Sequence, residues 1–267
     1  MARVLAVSVA LIAVMLAGDA SGQTQPPSDP QALTYAAQSV AAMSGGNTVT
    51  DVTLTGTANT WMVGSTADSG TITLKIGGYG ESRIDMQLSS NGPWSLIRDS
   101  STGVQQGEWL RQGASGQYSL QNCVTDAAWF YPLFSAMAVA PNGGIVLSYI
   151  GLETLGASQV QHLRSYYFEQ GLDSGSQAQL QQTSTIDYYL DATTFLPIQE
   201  LFSAFDDSGF GGAIPVQVLF LNYQSLGGVA TPQEIQEYIG GTLQLDVSVT
   251  SVAVNTGIPI SSFTIPQ

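Results

Sequence analysis

Side chains able to do catalytic chemistry are few in this 267-residue chain, and they lie far apart. His162 is the only histidine and Cys123 the only cysteine, so an ordinary zinc site cannot be assembled. A catalytic triad would need His162 to meet a serine and an acid, and no nucleophile-elbow motif is present. We therefore expect a hydrogen-bonded or surface histidine. For Cys123 we expect a buried apolar role, with a reactive thiol as the alternative.

The acidic residues are scattered and form no recognisable motif. Asp206 and Asp207 lie in a turn that lacks the spacing of a calcium loop. Glu234 and Glu237 share a face of a predicted helix, where Glu234 is explained by capping. No phosphate loop or dinucleotide fingerprint occurs, so the sequence predicts no cofactor, no metal and no catalytic residues. A carboxylate pair for glycoside hydrolysis stays open, because the separation of the two groups depends on the fold.

The charge balance restricts the possible partners. Twenty acidic residues oppose six lysines and arginines, which gives a formal net charge of −14. A chain this acidic repels the phosphate backbone, so we expect no nucleic-acid partner.

The first 22 residues have the features of a secretory signal peptide. Arg3 supplies the positive charge, residues 4–17 form an uncharged apolar run, and residues 20–22 form a small-residue cleavage site. This predicts an exported protein, periplasmic or secreted, whose mature chain begins at Gln23. An uncleaved anchor is the alternative. No later stretch is long and apolar enough to cross a bilayer, so an integral membrane protein is not expected.

The elements after the signal peptide are mostly strands. Residues 23–28 form a polar leader that we expect to be flexible. A helix follows, capped by Ser28 or Asp29 with Pro30 in its first turn, and it ends near residues 44–47. Apolar residues then alternate with polar ones over many short segments separated by glycine turns, as in Ile72–Leu74–Ile76. The pattern predicts an antiparallel meander with one solvated face.

Four local predictions depart from the meander. Residues 126–138 show apolar residues at helical spacing and predict an apolar helix. Thr231 and the following "PQE" predict a second short helix with a capping box, and "GLDSGSQAQ" at residues 171–179 predicts a loop. The alternation slips by one residue between Val249 and Val252, which predicts a β-bulge at Thr250 or Ser251.

Large aromatic side chains are the best candidates for a ligand-binding lining. Aromatic rings supply much of the wall of most apolar cavities, and packing in a closed core is the alternative role. The six candidates for a cavity or its lid are Trp61, Trp94, Trp109, Trp129, Tyr131 and Phe134.

The segment of residues 220–267 resembles the closing segment of LolA-like proteins, the superfamily of periplasmic lipoprotein carriers. The matching features are a strand ending at Tyr223, a Pro232-capped helix, a strand through Val247 and Val254, a turn at Asn255 and Gly257, and a final "SSFTIP" edge. The stretch "IDYYLDATTFLPIQELF", residues 186–202, resembles paired strands of the same family. The resemblance implies one domain over residues 29–267, mainly β with a few helices. Its fold would be an unclosed antiparallel half-barrel wrapped around helices, with an apolar cavity for acyl chains.

The resemblance implies the scaffold more than the carrier activity. The carriers use an arginine near the cavity mouth on an early strand, and residues 51–64 contain no arginine. We expect a non-enzymatic binder whose partner is a hydrophobic ligand, such as an acyl chain or a lipoprotein. A structural or protein-interaction module with a packed barrel is the alternative, and a carboxylate-based hydrolase is a third.

Overall fold

The computed structural model describes most of the chain after residue 22. The predicted signal peptide lies outside the described residues. The described ranges are 23–62, 66–78, 80–99, 106–125, 128–139, 144–206 and 212–265.

The described residues form a mainly β protein built around one long antiparallel sheet. Its thirteen strands are β1 (Asp51–Thr60), β2 (Asp68–Gly77), β3 (Ser82–Leu88), β4 (Gly92–Asp99), β5 (Gln106–Arg111), β6 (Ala114–Gln117), β7 (Ile145–Leu155), β8 (Ser158–Tyr167), β9 (Ile186–Asp191), β10 (Pro197–Ala204), β11 (Ile214–Leu221), β14 (Glu234–Ile239) and β15 (Thr242–Val254). β12 (Gln224–Leu226) and β13 (Val229–Thr231) form a separate hairpin. The helices are α1 (Pro30–Ser44), α2 (Leu120–Thr125), α3 (Phe134–Val139) and α4 (Ser174–Ser184).

The sheet is open, and consecutive strands form its two edges. The strand order is β6-β5-β4-β3-β2-β1-β15-β14-β11-β10-β9-β8-β7, so the sheet does not close into a barrel. This confirms the predicted fold class. Because β6 and β7 follow each other in the chain, residues 118–144 must connect opposite edges of the sheet.

β15 joins the two halves of the sheet, since it pairs with β1 on one side and β14 on the other. Along β1, Thr55 pairs with Ser251 and Gly56 pairs with Val249, so Thr250 is the extra residue of a β-bulge. The hydroxyl of Thr250 donates a hydrogen bond to the Thr55 carbonyl, 3.2 Å away. The predicted bulge is therefore confirmed. A bulge bends its strand and increases the local twist, which curves the sheet at this junction.

The N-terminal helix forms as predicted. Pro30 begins α1, the Asp29 carboxylate accepts a hydrogen bond from the backbone N–H of Gln31, and Gly45 ends the helix with a φ of 63°. The preceding residues 23–28, predicted to be flexible, hydrogen-bond to the start of β7. The Gln25 side chain bonds Gly144 and Ile145, and the Ser28 hydroxyl accepts from the N–H of Leu147.

Three secondary-structure predictions were wrong. The helix predicted after Thr231 is strand β14, because Ile235 and its neighbours pair with both β11 and β15, and this pairing outweighs local capping. The loop predicted at residues 171–179 contains most of α4, which Asp173 caps by accepting from the N–H groups of Gly175 and Ser176. The predicted "SSFTIP" edge strand includes the end of a single turn of 3-10 helix, Ile260–Ser262, followed by the buried Phe263.

The helix predicted over residues 126–138 begins at residues 126 and 127, which lie outside the described residues, and its described part is only partly helical. α3 covers its C-terminal end, and residues 128–133 before it form turns. Pro132 and the left-handed backbone of Leu133, with a φ of 63°, are incompatible with a continuous helix here.

Candidate functional site

The candidate site is the space under the concave face of the sheet, which residues 128–134 occupy. We call these residues the aromatic segment. It lies in the connection between the two sheet edges, after α2 and at the start of α3. Trp129, Phe130, Tyr131 and Phe134 belong to the same buried cluster as apolar residues of β1–β4, β10, β11, β14 and β15. The connection therefore crosses the concave face and fills its centre.

The rings of the aromatic segment pack edge to face. The ring centroids of Trp129 and Phe130 are 5.6 Å apart, and those of Tyr131 and Phe134 are 5.8 Å apart with an interplanar angle of 84°. Such pairs are favourable for aromatic quadrupoles. All four residues are at most 5 % exposed. The concave face is thus covered by rings that contact one another as well as the sheet.

A small cavity remains between the aromatic segment and strands β7–β10. Its volume is about 40 Å³, which is enough for water but far too small for an acyl chain. The walls combine apolar residues of the segment with polar residues of the sheet. The lining residues include Trp129, Tyr131, Leu133, Ile145, Ser165, Ile186, Tyr188 and Glu200.

The sheet side of this cavity is polar. The hydroxyls of Ser165 and Tyr188 are 3.2 Å apart and hydrogen-bonded, and the side chain of Glu200 lies on the neighbouring strand opposite Tyr188. Burial raises the pKa of Tyr188 well above the ordinary tyrosine value, and the nearby Glu200 raises it further. Tyr188 is therefore a neutral hydrogen-bonding group at physiological pH.

The aromatic segment is held in place at a local energetic cost. The Tyr131 hydroxyl is shielded from solvent and has no hydrogen-bond partner among the described residues, and the same holds for Tyr223. Burial raises the pKa of both phenols, and that of Tyr223 is raised further by the proximity of Tyr131. A buried polar group without a partner costs about 1–3 kcal/mol. The left-handed conformation of Leu133 adds about 1–3 kcal/mol of backbone strain.

The structure brings together only part of the predicted set of aromatic residues. Trp129, Tyr131 and Phe134 are in the aromatic segment, and Trp94 packs into the same core cluster from β4. Trp109 lies beside Trp94 in a separate pocket near the β6 edge. Trp61 is partly buried and follows β1. Its backbone N–H donates a hydrogen bond to the backbone carbonyl of Gln244.

Sequence reasoning missed the sheet side of the cavity. Tyr188 alternates with Ile186 and Leu190 in β9, so its inward orientation could have been read from the period-two pattern. Glu200 gave no such signal, because a carboxylate in a strand is ordinarily expected on the solvated face. Its burial becomes visible only when β10 pairs with β9 and β11.

His162 lies on the opposite face of β8 from Ser165 and takes no part in the cavity. Its Nδ1 and Nε2 are each 2.7 Å from a carboxylate oxygen, of Glu153 on β7 and Asp187 on β9 respectively. Arg164 donates two hydrogen bonds to Asp187, and the ring of Tyr189 stacks on the imidazole at 4.4 Å. This confirms the hydrogen-bonded role predicted for His162. Both ring nitrogens face acceptors, so the imidazolium form satisfies both bonds.

The His162 network makes stability depend on pH. Burial would lower the pKa of His162, but the hydrogen bonds to Asp187 and Glu153 outweigh it and raise the pKa above 6.5. A raised folded-state pKa contributes stability that is complete below about 6.5 and is lost as the pH rises through the folded-state value. We expect the difference in unfolding free energy between wild type and His162→Gln to decrease as the pH rises from 6 to 9. Each unit of pKa elevation contributes about 1.4 kcal/mol.

Urea unfolding monitored by circular dichroism measures this difference. The titration starts at pH 6 so that Asp187 stays ionised throughout. Burial would raise the pKa of Asp187, but the hydrogen bonds from His162 and Arg164 outweigh it and lower that pKa. A difference that stays constant over this pH range would contradict the imidazolium assignment.

Within the described residues no group of three or more histidine, cysteine, aspartate or glutamate side chains could hold a metal ion. Cys123, the single cysteine of the chain, is buried as predicted. In the same part of the chain, no helix has the length and apolar character needed to span a membrane.

Comparison with solved structures identifies the architecture. An outer membrane lipoprotein-sorting protein domain from Vibrio parahaemolyticus superimposes with a TM-score of 0.54 at 12 % identity, covering 88 % of this chain and 96 % of its own. A DUF1329 family protein from Desulfovibrio piger gives 0.52 at 8 % identity, with 90 % and 98 % covered. A LolA superfamily protein from Nitrosomonas europaea gives 0.50 at 9 % identity, with 88 % and 97 % covered.

The likeness is one of structure rather than of sequence. No protein-family model matches the chain, and no curated protein matches it significantly. The matched structures are covered almost completely, and the agreement extends over 88–90 % of this chain. The open sheet, the crossing connection and these superpositions together show that the chain has the LolA-like fold.

Proposed function

We propose that this protein is an exported, non-enzymatic binder of a lipid or a lipid-anchored protein. In this proposal the acyl chain lies against the concave face of the sheet and takes the place of the aromatic segment. The predicted signal peptide supports the export, and the resemblance of residues 220–267 to the lipoprotein carriers supports the kind of ligand. The matched Vibrio parahaemolyticus domain is itself described as lipoprotein-sorting.

The observation that carries the proposal is that the aromatic segment fills the concave face at an energetic cost. Its rings fill an open sheet from one side, while the Tyr131 hydroxyl is buried without a partner and Leu133 is strained. Displacing the segment would expose the Tyr131 hydroxyl to water and relax Leu133, which offsets part of the lost ring packing. The vacated face is lined by apolar residues of the core cluster, a suitable surface for an acyl chain.

The filled centre of the sheet favours a second candidate, a structural or protein-interaction module. A cavity of about 40 Å³ holds no acyl chain, so a protein whose aromatic segment never moves would bind none. The two candidates differ in one property, which is whether the aromatic segment can leave the concave face.

Catalysis by a carboxylate pair is disfavoured by the surroundings of the acidic residues. Glu153 and Asp187 are both engaged by His162. Glu200 and Glu237 lie on either side of Val218 across β10, β11 and β14, and all three residues are buried. Glu200 and Glu237 are closed off in the core, and Glu153 and Asp187 are both held by hydrogen bonds to His162, so the proposal includes no catalytic residue.

Ligand retention tests the proposed function directly. The protein, purified from its periplasmic fraction without detergent, is extracted with organic solvent and the extract is analysed by mass spectrometry. We expect a stoichiometric lipid, together with saturable binding of the fluorescent fatty acid cis-parinaric acid by the stripped protein. An empty extract combined with no probe binding would leave the packed module as the function.

A further inference from the structure

A second pocket lies on the concave face near the β6 edge, outside the cavity beneath the aromatic segment. We call it the tryptophan pocket. It has a volume of about 270 Å³, and its lining residues are Trp94 on β4, Trp109 and Arg111 on β5, and Tyr118 after β6. Two of the four tryptophans of the chain therefore lie in one pocket with a cation.

Strand pairing fixes the walls of the tryptophan pocket. Trp94 pairs directly with Arg111, and the Arg111 guanidinium carbon lies 5.8 Å from the centroid of the Trp94 ring. Trp109 pairs with Gly116 on β6, and a Cβ atom there would lie only 2.4 Å from the Trp109 ring. The absence of a side chain at Gly116 therefore lets the indole lie against β6. Side chains held this way form a pre-organised site.

Arg111 differs from Arg83 and Arg164, which are paired with carboxylates. Arg83 is bonded to Asp85 and Arg164 to Asp187, whereas Arg111 has no ion-pair partner among the described residues. In a chain with a net charge of −14, a partly buried guanidinium without a carboxylate is unusual. Arginine presents a planar array of donors that matches carboxylate and phosphate groups.

Trp94 supplies a second donor without an acceptor. Trp94 is 8 % exposed, and its indole nitrogen is buried with no hydrogen-bond partner among the described residues. Buried tryptophan N–H groups usually find an acceptor, so a ligand oxygen would complete this one. An anionic group bound at Arg111 brings such oxygens to the pocket.

The pocket also continues into the apolar core. Trp94 belongs to the cluster that includes Trp129 and Phe130. One face of the pocket therefore adjoins the concave surface on which we propose that the acyl chain lies. Tyr118 is held on the far wall by Arg98, whose guanidinium carbon lies 3.8 Å from the Tyr118 ring centroid. A ligand with an anionic head and an apolar chain would match both regions.

We infer that the tryptophan pocket binds the anionic head group of an amphiphile, a carboxylate or a phosphate ester. Arg111 is the counter-ion, the Trp94 N–H donates to a head-group oxygen, and the rings of Trp109 and Tyr118 cover the first carbons of the chain. This inference rests on the proposed function and specifies the head group of its ligand.

Calorimetric titration of the full mature protein below the critical micelle concentration tests the inference. The ligands are oleate, oleoyl lysophosphatidate, oleyl alcohol and inorganic phosphate. The variants are Arg111→Gln, Trp94→Phe, which keeps a ring and removes the N–H, and Arg83→Gln as the matched arginine control. We expect Arg111→Gln to weaken the two anionic amphiphiles by about tenfold or more. Oleyl alcohol should be unaffected, and Arg83→Gln should behave as wild type.

The outcomes separate the inference from the proposed function. If wild type binds oleate and oleyl alcohol equally well and Arg111→Gln changes neither, the head-group inference is overturned while lipid binding stands. If inorganic phosphate binds as tightly as the lysophosphatidate, the pocket is a site for a free anion and the inference is also overturned. Wild type that binds none of the amphiphiles would overturn both. A smaller loss in Trp94→Phe, confined to the anionic ligands, would support the donor role of the indole.

Discussion

Replacing Gly56 by alanine is expected to destabilise the protein by about 3 kcal/mol, the upper end of an overpacking penalty. A Cβ atom at this position would lie 2.0 Å from the carbonyl oxygen of Ser248 and 3.1 Å from the Cα of Val249. Both are backbone atoms of β15, so no side-chain rotation relieves the contact. The strands would have to separate beside the bulge at Thr250, where the two halves of the sheet are joined.

The control for this substitution is Gly212→Ala. A Cβ atom at Gly212 meets nothing within 4 Å, so the change should leave stability within about 0.5 kcal/mol of wild type. Chemical denaturation of both variants gives the comparison. A Gly56→Ala protein as stable as wild type would mean that β1 and β15 are further apart than the register implies.

Truncation of the aromatic segment is expected to affect ligand binding more than it affects stability. A sealed-core aromatic residue costs about 3–5 kcal/mol when it is replaced by alanine. We expect Trp129→Ala and Phe134→Ala to cost less, because the segment already contains the unpartnered Tyr131 hydroxyl and the strained Leu133. Both variants should bind cis-parinaric acid more tightly than wild type, since less ring packing must be displaced.

Leu74→Ala provides the matched comparison for these two variants. Leu74 is fully buried on β2 in the same cluster but belongs to the sheet. Its truncation should cost about 2–5 kcal/mol, the full penalty for a core residue of the sheet. If Trp129→Ala and Phe134→Ala are destabilised by the full amount expected for a sealed core and wild type takes up no probe, the aromatic segment is a fixed part of the core.

Local patterns in the sequence predicted those features that depend on neighbouring residues alone. The alternation in β2 and the phase slip at Thr250 are such features, because side-chain direction in a strand has a period of two. The N-terminal helix was also predictable, since Asp29, Pro30 and Gly45 each favour a helix end.

The mispredicted strand β14 depends on distant partners. Glu234 and the residues after it carry a helix-capping pattern, yet pairing with β11 and β15 makes them a strand. α4 lacks an apolar face, so no periodicity indicated it. In the candidate site, the aromatic residues were evident from their type. The buried Glu200 and the pairing of Trp94 with Arg111 appear only when the strands are assembled.

The position of β15 also governs when the fold can form. Thr55 and Ser251 contact each other across 196 residues of chain, and β1 has this partner only after the last strand has been made. Contacts of such long range close slowly, because the entropy of the intervening loop is lost before any pairing energy is gained. During synthesis β1–β6 would have a free edge at β1, as well as an uncovered apolar face. The sheet can therefore be completed only after β15 has been synthesised, a delay that would suit the export proposed above.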